Sequence, residues 1–170
     1  MTEPRPRKTG SKPIATMTFD ETDQRILEIL QHDSDTPIQA ISEAVGLSTN
    51  PCWRRIKRME EAGVIKKRVV LVDQTRANVP LTVFIGISTS RHEIEWLHRF
   101  RELIDEIPEV VEAYRLTGTV DYILKVVVPD MDSYDAVYKQ MIRRLEFSQV
   151  NSMISMEELK FTTAIPTTYL

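Results

Sequence analysis

Cysteine is nearly absent. Cys52 stands alone among 170 residues. One thiol excludes an internal disulfide and any cysteine-rich zinc site. Histidine is scarce too: His32, His92 and His98 are scattered and lack metal-ligand spacing. No apolar run approaches the roughly 18 residues that a membrane span requires. The opening TEPRPRKTGSKP is basic, but no apolar stretch follows it, so it does not read as a secretory signal. Cys52 belongs to no nucleophile motif with a histidine or an acid, so it reads as core. These absences predict a cytoplasmic chain with no metal, no cofactor and no membrane partner.

What is present is unevenly placed. The formal net charge is −3, yet residues 53–68 carry Arg54, Arg55, Lys57, Arg58, Lys66, Lys67 and Arg68 against only Glu60 and Glu61. Residues 69–170 hold 10 basic and 15 acidic side chains. A basic patch on an otherwise acidic chain is either a polyanion footprint or a solvated helix face.

Periodicity divides the chain. Residues 1–17 lack apolar repetition and read as a disordered basic tail. Residues 18–72 follow a helical period. Asp20 is a candidate N-cap, and Ile26, Leu27 and Leu30 form the first apolar stripe. Thr36 or Pro37 opens a second helix with Ile38, Ile41 and Val45 inward, and Gly46 supplies a left-handed stop. Ser48 caps a third helix. Cys52, Ile56 and Met59 line one face of it, and Asn50, Trp53, Arg54 and Lys57 line another. Val64-Ile65, Lys66-Lys67-Arg68 and Val69 to Val72 are expected as a strand pair or wing. Two helices joined at a glycine, the second of them basic, form a helix-turn-helix pattern.

Residues 73–80 read as a linker. The period then becomes two. Strands are expected at 81–89, 110–118, 121–128 and 152–160. Helices are expected at 93–106, with Ile94, Leu97, Phe100 or Arg101 and Ile104 inward, and at 131–145, with Met131, Tyr134, Val137, Tyr138, Met141 and Leu145 inward. The order β-α-β-β-α-β over 81–160 is the ferredoxin-like arrangement, giving an α+β protein with a short tail at 161–170. Both alternating sets of the central strands are apolar. Phe84, Ile123 and Val127 would remain uncovered behind the helices, so a second copy of the sheet is the expected cover, as a homodimer.

Three stretches, in this order, carry a resemblance: FDETDQRILEILQHDSDTPIQAISEAVGLS, STNPCWRRIKRMEEAGVI, and LTGTVDYILKVVVPDMDSYDAVYKQMIRRL followed by ISMEELK. Over about residues 18–160 the chain resembles the Lrp/AsnC, or feast/famine, family of transcription regulators. The resemblance implies a winged helix-turn-helix that binds double-stranded DNA and a C-terminal dimerisation and effector domain. Tetramer and octamer stay open as further assemblies. It departs from the usual pattern at Thr119, where an acidic residue often follows the glycine, and at Glu146-Phe147, which replace a common Pro-Gly.

Ser48, Thr49, Asn50, Trp53, Arg54 and Lys57 are the expected DNA-reading residues, since the start of the second helix meets base edges in this motif. Arg55, Arg58, Lys66, Lys67 and Arg68 are expected phosphate anchors. Arg55 and Arg58 have an alternative as ion-pair partners of acids such as Glu60 or Glu61, and Trp53 one as packing between the first and third helices. Gly118, Thr119, Val120, Asp121 and Tyr122 read as a turn. The resemblance implies that this loop binds the carboxyl and amino groups of an amino-acid effector at a dimer–dimer contact. By the same analogy Met131, Met153, Ile154 and Ser155 bound its side-chain pocket. A second reading, also from resemblance, is an enzyme like the sirohaem decarboxylases on the same fold. That chemistry needs a tetrapyrrole pocket with histidines, and this half of the chain offers His92 and His98 only.

Overall fold

The computed structural model describes residues 18–91 and 93–170. The tail expected at 1–17 and His92 lie outside them. The chain divides into two compact units. One runs to Val70 and takes in Phe161–Leu170; the other is Leu71–Lys160.

The first unit has three helices: α1 (Glu21–His32), α2 (Ile38–Ala44) and α3 (Thr49–Glu61). Asp20 caps α1 in a reciprocal capping box with Asp23. This satisfies free N–H groups at the helix start and places two carboxylates on its positive end. Gly46 takes φ 72° and the Leu47 N–H returns to the Ser42 carbonyl at 2.9 Å. That closure ends α2 and aims the chain into α3. Ser48 holds the N-cap position of α3, but its side chain makes no capping hydrogen bond. Ile26, Leu27, Ile41, Val45, Cys52, Ile56 and Met59 form the buried centre, with Cys52 fully enclosed as expected of a core thiol.

Two details differ from expectation here: no strand pair follows α3, and the C-terminal tail makes contacts of its own. The segment after α3 joins no strand ladder, and Val69 to Val72 are exposed. A β-prone run becomes a strand only where another backbone lies beside it, and among the described residues none does. Residues 161–170 are also more than a loose end. The Gln31 side-chain amide accepts the Ile165 N–H at 2.8 Å and donates to the Ile165 carbonyl at 3.1 Å. The Thr167 hydroxyl donates to Glu28 at 2.9 Å, and Thr167 is buried. Gln24, Glu28 and Gln31, spaced four and three apart, form one stripe of α1 that receives this segment.

The second unit runs β1 (Leu81–Ser88), α4 (Ile94–Asp105), β2 (Val110–Arg115), β3 (Tyr122–Val128), α5 (Met131–Arg144) and β4 (Gln149–Ile154). The sheet order is β2-β3-β1-β4, with every neighbouring pair antiparallel. This is the expected ferredoxin-like arrangement. Val83, Ile85, Ile87, Tyr122, Leu124, Val126 and Val128 face α4 and α5 and are buried.

The inward face of α4 is turned from the expected one. Trp96, Phe100, Leu103 and Ile107 are buried, whereas Ile94 is exposed. Trp96 stacks on Phe100 at 5.1 Å and its indole N–H donates to the Glu146 carbonyl, so the large ring is buried without losing its hydrogen bond. Met131 at the start of α5 is also half exposed. The last strand lies earlier than expected. Its register on β1 pairs Ser88 with Gln149 and Val83 with Ile154. Pairing with β1 sets its position.

 Both Met156 and Leu159 point to solvent, at 99% and 86% exposure.

The contacts of the C-terminal segment set an expectation for stability. Deleting residues 161–170 should lower the unfolding free energy by about 1–3 kcal/mol, and Gln31→Ala alone by about 1 kcal/mol. Urea unfolding followed by far-UV circular dichroism measures both. Equal midpoints for the full and shortened chains would mean that the segment contributes nothing.

Candidate nucleic-acid interface and effector loop

Helix α3 has three distinct sides, set by its turn of about 100° per residue. Cys52, Ile56 and Met59 point into the core. Asn50, Arg54 and Lys57 lie opposite them and are exposed. Thr49 and Trp53 lie on the flank towards α2. Trp53 does not pack between α1 and α3. It borders a small cavity with Ile38 and Ile41 of α2, and it is 55% exposed.

The remaining flank, towards α1, is an ion-pair cluster. Asp23 has a side-chain exposure of 1%. Its two carboxylate oxygens accept from Arg55 at 2.9 Å and from Arg58 at 2.7 Å. Arg55 also donates to Asp20 at 2.7 Å. The Asp23 and Arg55 hydrogen bonds hold the Asp20 carboxyl below its ordinary range, and the two carboxylates raise the Arg55 guanidinium. The expected alternative for Arg55 and Arg58, ion pairing, is therefore the observed state. The partners are Asp20 and Asp23, not Glu60 or Glu61. The signal was in the sequence as two acids three apart at the start of α1.

The other cations differ in how firmly they are held. Glu60 lies 3.6 Å from both Lys57 and Arg68, and Arg68 donates to the Ser34 carbonyl at 3.0 Å. Arg54, Lys66 and Lys67 are exposed and form no salt bridge among the described residues.

In the second unit the loop between β2 and β3 is braced against the end of β1. The Asp121 N–H donates to the Ile87 carbonyl at 2.9 Å, and the Asp121 carboxylate accepts the Thr89 N–H at 2.8 Å. Gly118 has φ +134° and open space around it, a conformation that side chains with a Cβ rarely adopt. Thr119 is exposed and Val120 half-buried. Gly86 leaves room for Val120, whose methyl group would stand 3.3 Å from a Cβ at that position.

The rest of the expected effector set is not brought to this loop within one chain. Tyr122 is buried, its ring 4.8 Å from that of Phe100. Met153 and Ile154 pair with Phe84 and Val83, and the Ser155 N–H donates to the Thr82 carbonyl. Those positions lie from the middle of β1 towards its start, about 10 Å or more along the strand from Ile87 at roughly 3.4 Å per residue. Met131 follows β3 at the start of β1, since Val128 pairs with Leu81. Strand register decides this division, and residue spacing carries no sign of it.

A helix-turn-helix unit followed in the chain by a sheet-and-helix unit with a braced loop defines a class, the two-unit DNA-binding transcription regulators. Residues 19–66 match the family profile for winged helix-turn-helix DNA-binding, and residues 82–165 that for the Lrp/AsnC ligand binding domain. The chain is 44% identical over 148 residues to a glutamate uptake regulatory protein of Zymomonas mobilis, covering 87% of this chain and 90% of that protein. A crystal structure of an AsnC family transcriptional regulator from Agrobacterium tumefaciens superposes with a TM-score of 0.86 at 52% identity, over 89% of this chain and 99% of that one. A transcriptional regulator from Neisseria meningitidis, crystallised as its L-Met complex, gives 0.85 at 31% identity with the same coverage. This protein belongs to the Lrp/AsnC family of transcription regulators.

The ion-pair cluster yields a stability test. Replacing both Arg55 and Arg58 by Met leaves a buried carboxylate unpaired and should cost about 3–5 kcal/mol. Arg54→Met, on the exposed face, should stay within about 0.5 kcal/mol. Denaturant unfolding at pH 7 compares them. Because the folded-state pKa of Asp20 is depressed, its contribution is present above the ordinary carboxylate range near pH 4 and is lost as pH falls through the folded value. Wild type should therefore lose stability on acidification faster than Asp20→Asn. Parallel pH profiles would contradict that role.

Proposed function

We propose that the protein is a homodimeric, cytoplasmic transcription regulator that reads a two-fold DNA site and whose binding responds to an amino acid. The observation that carries it is the exposed face of α3. Asn50, Arg54 and Lys57 project together from a helix whose other sides are fixed by the core and by the Asp23 cluster. Asn reads adenine and Arg reads guanine in the major groove. Ser48 and Thr49 stand at the helix start, and Lys66 and Lys67 are the phosphate anchors. Arg55 and Arg58 act instead on the aim of the helix.

The effector is held at the Gly118–Asp121 loop. Backbone N–H groups beside Gly118 take the carboxylate, and the Asp121 carboxylate takes the ammonium. One Asp121 oxygen already accepts from Thr89, so the residue braces the loop and binds at once. Met131, Met153, Ile154 and Ser155 sit towards the other end of the sheet, so a second copy supplies any side-chain wall they form. The L-Met complex of the Neisseria relative supports this class of effector. The open sheet face supports the dimer: Phe84, Ile123 and Val127 are only half-buried, and Tyr114 and Met153 beside them are half exposed.

Gel-shift titration against the DNA flanking its own gene, with and without each amino acid, tests the reading. Arg54→Ala should relax base preference. Lys66→Ala or Lys67→Ala should weaken operator and random DNA alike and lower the salt slope by about one. Equal wild-type affinity for operator and random DNA would refute specific recognition. Asp121→Asn keeps an acceptor for Thr89 but removes the charge, so it should abolish the effector response while basal DNA affinity stays unchanged. An unaltered response would remove the loop from the proposal. Phe84→Glu puts a charge on the open sheet face and should yield monomer or aggregate by ultracentrifugation, where an intact dimer would exclude that face.

A further inference from the structure

Trp53 is not accounted for by packing or by hydrogen-bonding chemistry. An indole left 55% exposed on a basic helix is an unusual surface residue. It stands over a cavity of about 140 Å³ whose floor is Ile38, Ile41 and Ile56. Lys57 and Arg68 form the rim, held 3.6 Å from Glu60. The hollow thus joins an apolar floor to a cationic edge, on the flank of α3 next to Asn50 and Arg54. Thr36 and Glu60 complete the lining. A matching occupant offers a small apolar group close to negative charge.

Duplex DNA has one such feature in the major groove. The C5-methyl of thymine is the apolar group presented there by base edges, with the phosphates bordering the groove. We propose that Trp53 and the apolar floor beside it receive a thymine methyl, making Trp53 a specificity-determining residue at one thymine of each half-site. This rests on the DNA-reading role of α3 and deepens it. Lys57 and Arg68 exchange their loose contacts with Glu60 for the flanking phosphates, so the rim positions the duplex and Trp53 reads the base.

Deoxyuridine supplies the test. It keeps the hydrogen-bonding edge of thymidine and lacks only the methyl. The full-length protein is titrated against its operator with each thymidine replaced in turn. One replacement per half-site should weaken wild type about fourfold, the equivalent of one buried methyl or methylene group. The same replacement should leave Trp53→Ala unaffected, and Trp53→Phe should retain part of the effect. Thermal unfolding of each variant runs alongside. Equal wild-type affinity for every deoxyuridine operator overturns the proposal, with no variant needed. So does the same fourfold loss in wild type and Trp53→Ala. So does a Trp53→Ala protein that binds DNA normally and is merely less stable, which would make the indole a packing residue. A uniform loss on all DNA would assign it to the sugar-phosphate backbone and also overturn the thymine contact. If wild type does not separate operator from random DNA, base reading by α3 fails first, and this inference falls with it.

Discussion

Asp23 holds a carboxylate at the start of α1 with almost no access to water, and two arginines from α3 close on it. A buried charge of this kind is tolerated only when it is paired and hydrogen-bonded. Here the capping box and the N-terminal end of α1 add to the pairing, since free N–H groups there favour an anion. The pairing fixes more than α1. Arg55 and Arg58 are on one flank of α3, so their grip sets the rotation of that helix about its axis. Core residues alone fix a helix face less sharply, because apolar contacts are non-directional. The direction in which Asn50 and Arg54 point therefore depends on Asp23, although Asp23 itself is buried.

The second unit is governed by alternation. Successive side chains of a strand take opposite faces, so β1 and β3 divide into a row under the helices and a row behind the sheet. Lys125 interrupts the apolar row behind it, opposite Phe84 in one direction and Glu112 in the other. Its ammonium lies 3.6 Å from the Glu112 carboxylate and is only 17% exposed. A cation already screened by its neighbours and paired across strands is compatible with the proposed interface and would add register to it, since a shifted partner sheet would meet a charge in the wrong place.

Element order, the glycine-closed turns and the alternating strands were legible because each is a local property. Asp20 and Gly46 mark boundaries by backbone chemistry that needs no distant partner. Errors arose where a partner decides the outcome. Register on β1 moved the last strand to 149–154. Trp96 drew the α4 face towards itself because a stacked aromatic and a carbonyl acceptor awaited it. The 161–170 segment read as a tail because its amide and hydroxyl contacts on α1 involve residues more than 130 positions away. The candidate site divides in the same manner. The exposed face of α3 follows from helical spacing alone. The grouping of Met131 and Met153 to Ser155 with Gly118 came from resemblance, and within one chain the sheet holds them apart.

Charge illustrates the same separation of local from global effects. A net charge of −3 argues against a polyanion partner only if charge is averaged over the chain. Electrostatic influence in physiological salt decays over about 8 Å, so what a phosphate meets is the patch in front of it. Within residues 53–68 the acids neutralise selectively. Asp20 and Asp23 take Arg55 and Arg58 at 2.7 to 2.9 Å, distances typical of strong charge-assisted hydrogen bonds. Glu60 takes Lys57 and Arg68 only at 3.6 Å, with both cations about half exposed. Such open pairs contribute little and exchange readily. The cations thus fall into a bound set that shapes the helix pair and an available set that faces solvent. The available set lies on the side of α3 opposite its buried residues and in the segment just after it. Folding has in this way sorted a basic run of uniform appearance into charge held by acids and charge left to solvent.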